Sequence, residues 1–288
     1  VKPAGFLPFC FPTEVDKPPE GEAWSHEIKY DGYRTQLQLG QTPRALTRNG
    51  VDWSSKYPFV LAAANAIVGG QDAVLDGEIV VLDEIGRADF SRLPGAIRWK
   101  KNDLVFYAFD LLLIGDDDIR GWRCEDRRSL LRDTLGAPSQ EVRFSDDYDG
   151  SGAELFAKVA ELEVEGVVSK RRASRYKSGD SRDWLKTKTY AFKEFVVVGY
   201  ERKRGAAPSL LLADGMKYMG RAIPAVSAAQ RDELWRALEF LHTDKFSVQM
   251  GAGNKEAVPV VPLLRVIAKH LRGEAKLRHA TVTEILPP

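Results

Sequence analysis

Apolar and polar residues alternate along much of this chain, and helical spacing appears in only a few places. The alternation over 28–39 predicts a strand. A second short strand over 45–48 runs into Asn49-Gly50, a pair that tolerates positive φ. Residues 73–82 and 104–113 are apolar enough for buried strands. Residues 57–67 read as a helix stopped by Gly69-Gly70, and 126–135 as another. Over 152–163, Leu155, Phe156, Val159 and Leu162 recur at helical spacing behind Ser151, a natural N-cap. A short strand at 166–169 leads into a basic loop. From the strand at 192–200 onward the pattern changes. Short strands at 210–213, 216–219 and 258–264 are separated by Gly and Pro around one helix, 228–241. That is the signature of a small β-barrel. Pro259 and Pro262 place the strand at 258–264 on an edge. The fold class is therefore α+β, with a domain of sheets and helices over 1–191 and a barrel over 192–288.

Composition adds limits. The 288 residues suffice for two domains, and 44% hydrophobic with 29% charged residues is ordinary globular composition. No apolar run approaches the ~20 residues of a membrane span, and the Pro-rich opening lacks the order of a signal peptide. Cys10 and Cys124 are too few and too distant for a zinc or disulfide framework, which suits a reducing, cytoplasmic setting. His26, His242, His270 and His279 show no metal spacing. The run 146–150 lacks the ligand spacing and terminal Glu of a calcium loop and reads as a helix entrance. The net charge of +1, taken whole, argues against a nucleic-acid binder. Its distribution reverses the argument. Residues 1–192 hold 27 basic and 31 acidic residues, 193–288 hold 15 and 10, and 170–188 alone hold eight and two. A localised basic track of this kind suits a weak, salt-sensitive grip on a phosphate backbone.

Chemistry is concentrated at 27–34, Glu-Ile-Lys-Tyr-Asp-Gly-Tyr-Arg. Lysine is a nucleophile only as the neutral amine, and nearby cations or desolvation lower its pKa. Gly32 lets the backbone turn tightly, and Arg34 carries a fork suited to phosphate or ribose. Lys186 and Lys188, two apart on a strand, share one face and would depress the pKa of Lys29 and hold a phosphate.

Five further segments follow in order: Thr47-Arg48-Asn49-Gly50, Asp76-Gly77-Glu78, the strand around Tyr107-Ala108-Phe109-Asp110, Glu165-Gly166-Val167-Val168 and Trp184-Leu185-Lys186-Thr187-Lys188. With Lys29-Tyr30-Asp31-Gly32-Tyr33-Arg34 they match six ordered motifs, and on these the chain resembles the covalent nucleotidyltransferases, within them the ATP-dependent DNA ligases. The stretch Glu165 to Lys188 is most similar to the bacterial end-joining ligase D ligase domain and its stand-alone relatives.

The resemblance implies an adenylation (nucleotidyltransferase) domain of antiparallel sheets and helices followed by an OB-fold barrel. It implies that Lys29 attacks the α-phosphate of ATP to form lysyl-AMP. AMP then passes to a 5′-phosphate, and a 3′-hydroxyl attacks to seal the break. Lys186 and Lys188 hold the α-phosphate. Glu27 accepts from the adenine amino group, and Arg34 binds the nucleotide. Arg48 grips the 5′-phosphate of the nick. Glu78 touches ribose, and Glu78, Glu165 and Asp31 meet Mg²⁺ or Mn²⁺. Two readings stand for Asp31, metal ligand or structural partner of Arg34, and two for Phe109, stacking on adenine or core packing. Nicked or broken duplex DNA is the implied substrate. A Ku-like end-binding protein and a repair polymerase are implied partners, and a bacterial, nucleoid-associated location follows.

One family motif, Arg-x-Asp-Lys late in the barrel, has no counterpart in Leu277-Arg278-His279-Ala280-Thr281 and the residues after it. Either the chain is cut or the barrel has diverged, and the departure bears on the reaction with ATP. Alternatives are an RNA ligase or GTP-using capping-type enzyme, and a catalytically weakened DNA-end-binding module.

Overall fold

The computed structural model describes residues 5–202, 208–250, 256–272 and 276–287. It divides into two compact units, Val1–Thr189 and Tyr190–Pro288.

The described residues of the first unit form the strands β1 (Cys10–Glu14), β2 (Trp24–Lys29), β3 (Tyr33–Leu39), β4 (Arg44–Thr47), β5 (Ala73–Val81), β6 (Leu104–Ile114), β7 (Asp117–Asp118), β8 (Val142–Phe144), β9 (Gly166–Arg171) and β10 (Gly179–Lys188). Its helices are α1 (Pro58–Ile67), α2 (Leu93–Trp99), α3 (Cys124–Leu135) and α4 (Gly152–Glu161). One sheet has the order β1-β10-β9-β2; the other runs β4-β3-β5-β6-β7, with β8 beside β6.

Strand periodicity explains what lies between the sheets. On β3 and β5, Leu37, Leu39, Leu75, Ile79 and Val81 pack with α1, α2 and α3 into the main core. The intervening positions, Arg34 and Gln36 on β3 and Asp76 and Glu78 on β5, belong to the opposite face. There Val74 and Leu112 pack with Cys10, Tyr176 and Trp184, which belong to the first sheet or its approach. The layer between the sheets thus combines an apolar seam with charged side chains.

The strand expected over 28–39 is two strands in different sheets. The chain crosses between them at Tyr30, Asp31 and Gly32. A Cβ on Gly32 would stand 2.1 Å from the Ile79 carbonyl oxygen, so only glycine passes there. The capping of α4 by Ser151 is borne out: Ser151 Oγ accepts from Glu154 N, and the Glu154 side chain returns to the Ser151 N–H. The run 146–150 is the entrance to that helix. Cys10 and Cys124 are both buried and unpaired with each other.

The second unit contains β11 (Tyr190–Glu201), β12 (Ser209–Asp214), β13 (Lys217–Pro224), α5 (Ala228–Phe240), β14 (Val258–Pro259), β15 (Arg265–Leu271) and β16 (Leu277–Ile285). The order β12-β13-β16-β15-β11, closed by β11 pairing with β12, makes a five-stranded OB-like barrel. Val197, Leu212, Val266, Ala268 and Val282 fill it together with Leu234 and Leu238 of α5. Of the expected 258–264 strand, Val258–Pro259 pairs at the edge beside Gly199 and Tyr200, and Val260 bridges to His242. Pro262 brings no N–H to a ladder, and the long strand begins after it, at Arg265. The segment without the Arg-x-Asp-Lys motif forms β16. Among the described residues no helix is long and apolar enough to cross a membrane.

Candidate active site

A cleft of about 280 Å³ opens within the first unit and is lined by Glu27, Lys29, Arg34, Arg48, Glu78, Phe109 and Lys186, among others. Seven of the ten site residues read from the sequence therefore share one cavity. Asp31, Glu165 and Lys188 stand outside that lining. Glu165 joins the site through Lys29, whose Nζ donates to Glu165 Oε2 at 2.5 Å.

Register makes this pair. Across β2–β9, Lys29 lies opposite Gly166, and across β9–β10 so does Lys188. Glu165 precedes Gly166 and so emerges between the two lysines. Gly166 has φ +156°, and a Cβ there would stand 2.1 Å from the Thr187 carbonyl oxygen. The small residue lets β10 approach closely enough to place its cations beside Lys29.

The electrostatics depart from expectation. Burial pulls the Lys29 amine down, but Glu165 and Glu78 outweigh it, and its pKa ends above the ordinary lysine range. Lys186 and Lys188 therefore do not by themselves discharge Lys29. The cation that is depressed is Lys186, by burial and then by Lys188, with Glu14 opposing. Glu14 Oε2 lies 3.0 Å from Lys188 Nζ and 3.9 Å from Lys186 Nζ, so both lysines do share a face. Burial pushes the Glu165 carboxyl up against the pull of Lys29. Burial also pushes Glu78 up, to about 8.

Arg34 is engaged from within. Its Nε and Nη2 donate to Asp76 Oδ1 and Oδ2 at 3.0 and 2.7 Å, and Tyr176 Oη donates to the same carboxylate at 2.8 Å. The guanidinium lies 5.0 Å from the Phe109 ring centroid. Asp31 occupies the crossing between the sheets, where its charge acts on Lys29, Glu78 and Glu165. Phe109 packs edge-on to Trp184 at 6.2 Å and also lines the cleft. Arg48 lies over Phe11, 4.4 Å from its centroid.

Glu27 is 2% exposed and densely held. Ser145 Oγ donates to its Oε2 at 2.8 Å, Arg128 Nη1 lies 2.9 Å from the same oxygen, and Lys170 Nζ lies 2.5 Å from Oε1. Lys170 also donates to the Phe109 carbonyl at 2.8 Å and stands 4.3 Å from the Trp184 centroid. Lys170 and Arg128 are the site residues that sequence reasoning missed. Lys170 was within reach, five residues after Glu165 in a quoted motif; Arg128, on α3, carried no such signal. Oε1 of Glu27 makes no aligned hydrogen bond. It is closed to solvent and faces the Lys170 ammonium.

The donor set suits a nucleotide: an aromatic wall, a buried carboxylate acceptor and several cations. For a metal the fit is narrower. Among the described residues no group of three or more His, Cys, Asp or Glu could hold an ion, so Asp31, Glu78 and Glu165 do not form a cage. Mg²⁺ commonly takes one or two carboxylates and completes its shell with water and substrate phosphates. Glu78, in the lining and half-buried beside Lys29 and Arg34, fits that use.

Comparison with known proteins places the chain in a family. The LigD multifunctional non-homologous end joining protein of Pseudomonas aeruginosa is 41% identical over 196 residues, which are 67% of this chain and 23% of that protein. The chain thus spans about a quarter of that relative. The crystal structure of the ligase domain from M. tuberculosis LigD aligns at TM-score 0.60 and 30% identity, covering 98% of this chain and 95% of that one. A mycobacterial DNA ligase D complexed with ATP and MES gives the same TM-score, identity and coverage. The ATP dependent DNA ligase domain family matches residues 13–188. That span takes in Lys29, Glu78, Phe109, Glu165 and Lys186 in the arrangement described, and the chain belongs to the ATP-dependent DNA ligase domain family.

Proposed function

We propose that this chain is an ATP-dependent DNA ligase of bacterial end joining, which seals nicked or broken duplex DNA through AMP carried on Lys29. The observation that carries the reading is the Lys29–Glu165 pair at the cleft wall. A lysine Nζ attacks phosphorus only after losing its proton, and Glu165 is the nearest acceptor, with a carboxyl already raised by burial. In the first step the Lys29 Nζ–P bond forms, the bond to pyrophosphate breaks, and the proton leaves toward Glu165. AMP then passes from Lys29 to a 5′-phosphate, regenerating the amine. A 3′-hydroxyl displaces AMP and closes the backbone.

The other residues bind and orient. Glu27 accepts from the adenine amino group, and Phe109 offers its ring to the base. Arg34, fixed on Asp76, turns the remainder of its positive field toward the nucleotide. Lys186 and Lys188 face the α-phosphate, and Arg48 meets the 5′-phosphate of the break. Glu78 would hold Mg²⁺, with Glu165 and Asp31 nearby; the ion supplies neutralisation of phosphate charge. A Ku-like end-binding protein and a repair polymerase are the partners this reading calls for.

The test is intact-mass measurement after incubation with ATP and Mg²⁺, followed by sealing of a nicked duplex. A gain of one AMP is expected, absent in Lys29→Ala. An adduct that persists in Lys29→Ala would refute the nucleophile, and one formed from GTP alone would refute the ATP reading.

A further inference from the structure

The packing of α2 does not account for Trp99, its last residue. The helix buries Leu93 and Ala96 and packs Ile97 partly against the core, an i, i+3, i+4 stripe. Trp99 lies off that stripe and is 74% exposed. The Arg98 guanidinium sits 4.7 Å from its ring centroid. A single cation over a ring covers one face, and the exposure of the residue leaves the other face to solvent.

Lys100 and Lys101 continue the positive charge. Lys101 Nζ donates to the Ser55 carbonyl at 2.8 Å, which ties this surface to the turn Ser54–Lys56. In that turn Lys56 Nζ lies 3.4 Å from the Trp53 ring centroid. Ser54 Oγ accepts from Ala45 N at 3.0 Å, and Asp52 bridges to Leu46, so the turn is fastened to β4. The end of β4 leads directly to Arg48, a residue of the cleft lining. Two acidic residues border this path: Asp52, held by hydrogen bonds from Ser54 N and Oγ, and Asp103, which ends the turn that Lys101 begins. Cations and one open indole therefore run beside one another from the cleft margin to the end of α2.

An aromatic face flanked by cations is the recognition chemistry of single-stranded nucleic acid, in which bases stack and phosphates pair with Lys and Arg. Duplex DNA would use the cations but not the ring, because its base faces are already stacked on one another. Unpaired bases at a broken end have free faces. We propose that Arg98, Trp99, Lys100 and Lys101 hold the single-stranded overhang of a DNA end. Trp99 stacks on one base, and the three cations meet the flanking phosphates. The inference rests on the ligase reading and names its substrate form: ends with an overhang, held apart from the nick itself.

The experiment uses the full chain and two labelled substrates, a nicked duplex and a duplex with a single-stranded overhang. Trp99→Ala should weaken overhang binding about five- to a hundredfold, the range for loss of one stacked base, with nick sealing at the wild-type rate. Trp99→Phe, which keeps an aromatic face, should restore most of the affinity. Replacing Arg98, Lys100 and Lys101 together by Gln should reduce the salt slope of overhang binding by about 2, three phosphate contacts at ~0.7 each. Unchanged overhang binding by Trp99→Ala would overturn the proposal. So would an equal loss on nicked DNA, which would make this a duplex-backbone surface. A change of sedimentation mass in the variants would make it a contact between protein chains and overturn it as well. Failure of the wild type to seal any nick would strike the ligase reading instead, since overhang binding is measured without chemistry.

Discussion

Two cation–carboxylate pairs lie within the same unit and behave differently. Arg127 and Asp110 are both wholly buried, and the guanidinium donates from Nε and Nη2 to the two carboxylate oxygens at 2.8 Å each. Its Nη1 donates to the Trp122 carbonyl at 2.7 Å. Lys29 and Glu165 share one short contact, and their side chains remain 21% and 9% exposed. The first pair has a fixed fork and a cation that does not deprotonate in proteins. The second has one rotatable amine and a carboxyl whose charge depends on its neighbours. Asp110 directly follows Phe109 on β6, so the permanent pair fixes the strand that presents the aromatic wall. The convertible pair sits where, in the proposed reaction, the proton leaves.

The largest expected effect tests the permanent pair. Arg127→Leu leaves Asp110 buried without its partner and should cost about 3–5 kcal/mol in urea unfolding at pH 7. Adding Asp110→Leu should recover much of that loss, because the desolvated charge is then gone. Lys29→Ala, in contrast, should cost less, about 1–2 kcal/mol, because the Lys29 and Glu165 side chains keep 21% and 9% of their exposure and water can reach the carboxylate left behind. Equal destabilisation by Arg127→Leu and Lys29→Ala would erase the distinction between the pairs.

A second test uses pH. Burial raises Glu78 from 4.5 to about 8 in the folded chain. The folded state then binds the proton more tightly than the unfolded one. Its contribution to stability is full below about pH 4.5 and is lost as pH rises through about 8. Glu78→Gln removes the ionisation. Its advantage over wild type should be nil at pH 4, grow between pH 4.5 and 8, and level off at roughly 1–3 kcal/mol after allowance for partial exposure. Parallel stability curves for the two proteins across that window would show that Glu78 is ionised throughout.

The site was legible because its chemistry is carried by short motifs at strand ends, and strands could be read from alternation. The capping of α4 was legible for the same local reason. What escaped depends on packing between distant segments. Arg34 reads as a free phosphate ligand until β3 and β5 pair and bring Asp76 beneath it. Lys170 reads as one more cation of a basic loop. Only the pairing of β9 with β2 and β10 buries it between Glu27 and Trp184. The crossing at Gly32 was hidden by alternation that continues on both sides of it, although the break is enforced by contact with Ile79. In the barrel, β15 escaped because Lys269 and His270 interrupt its apolar pattern.

The smallest expected effect lies at the rim of the convertible site. Glu14 lies opposite Lys186 in the parallel pairing of β1 with β10, and its carboxylate faces both Lys186 and Lys188. With side chains 44% and 12% exposed, the Glu14–Lys188 pair is worth less than about 1 kcal/mol to folding. Its consequence is electrostatic. Burial and Lys188 already lower Lys186, and Glu14 opposes them more strongly than Glu165 does. Glu14→Gln should therefore lower Lys186 further and move the alkaline limb of the AMP-adduct pH–rate profile to lower pH, by less than about one unit. Thermal stability should stay within about 1 kcal/mol of wild type. An alkaline limb that does not move would mean that Lys186 does not set it and would leave the profile to Lys29, which reacts only after losing its proton and so governs the acid limb. That amine gains its proton affinity chiefly from Glu165 and Glu78, so the convertible pair, rather than the lysine facing it, would then set the pH range of the first step.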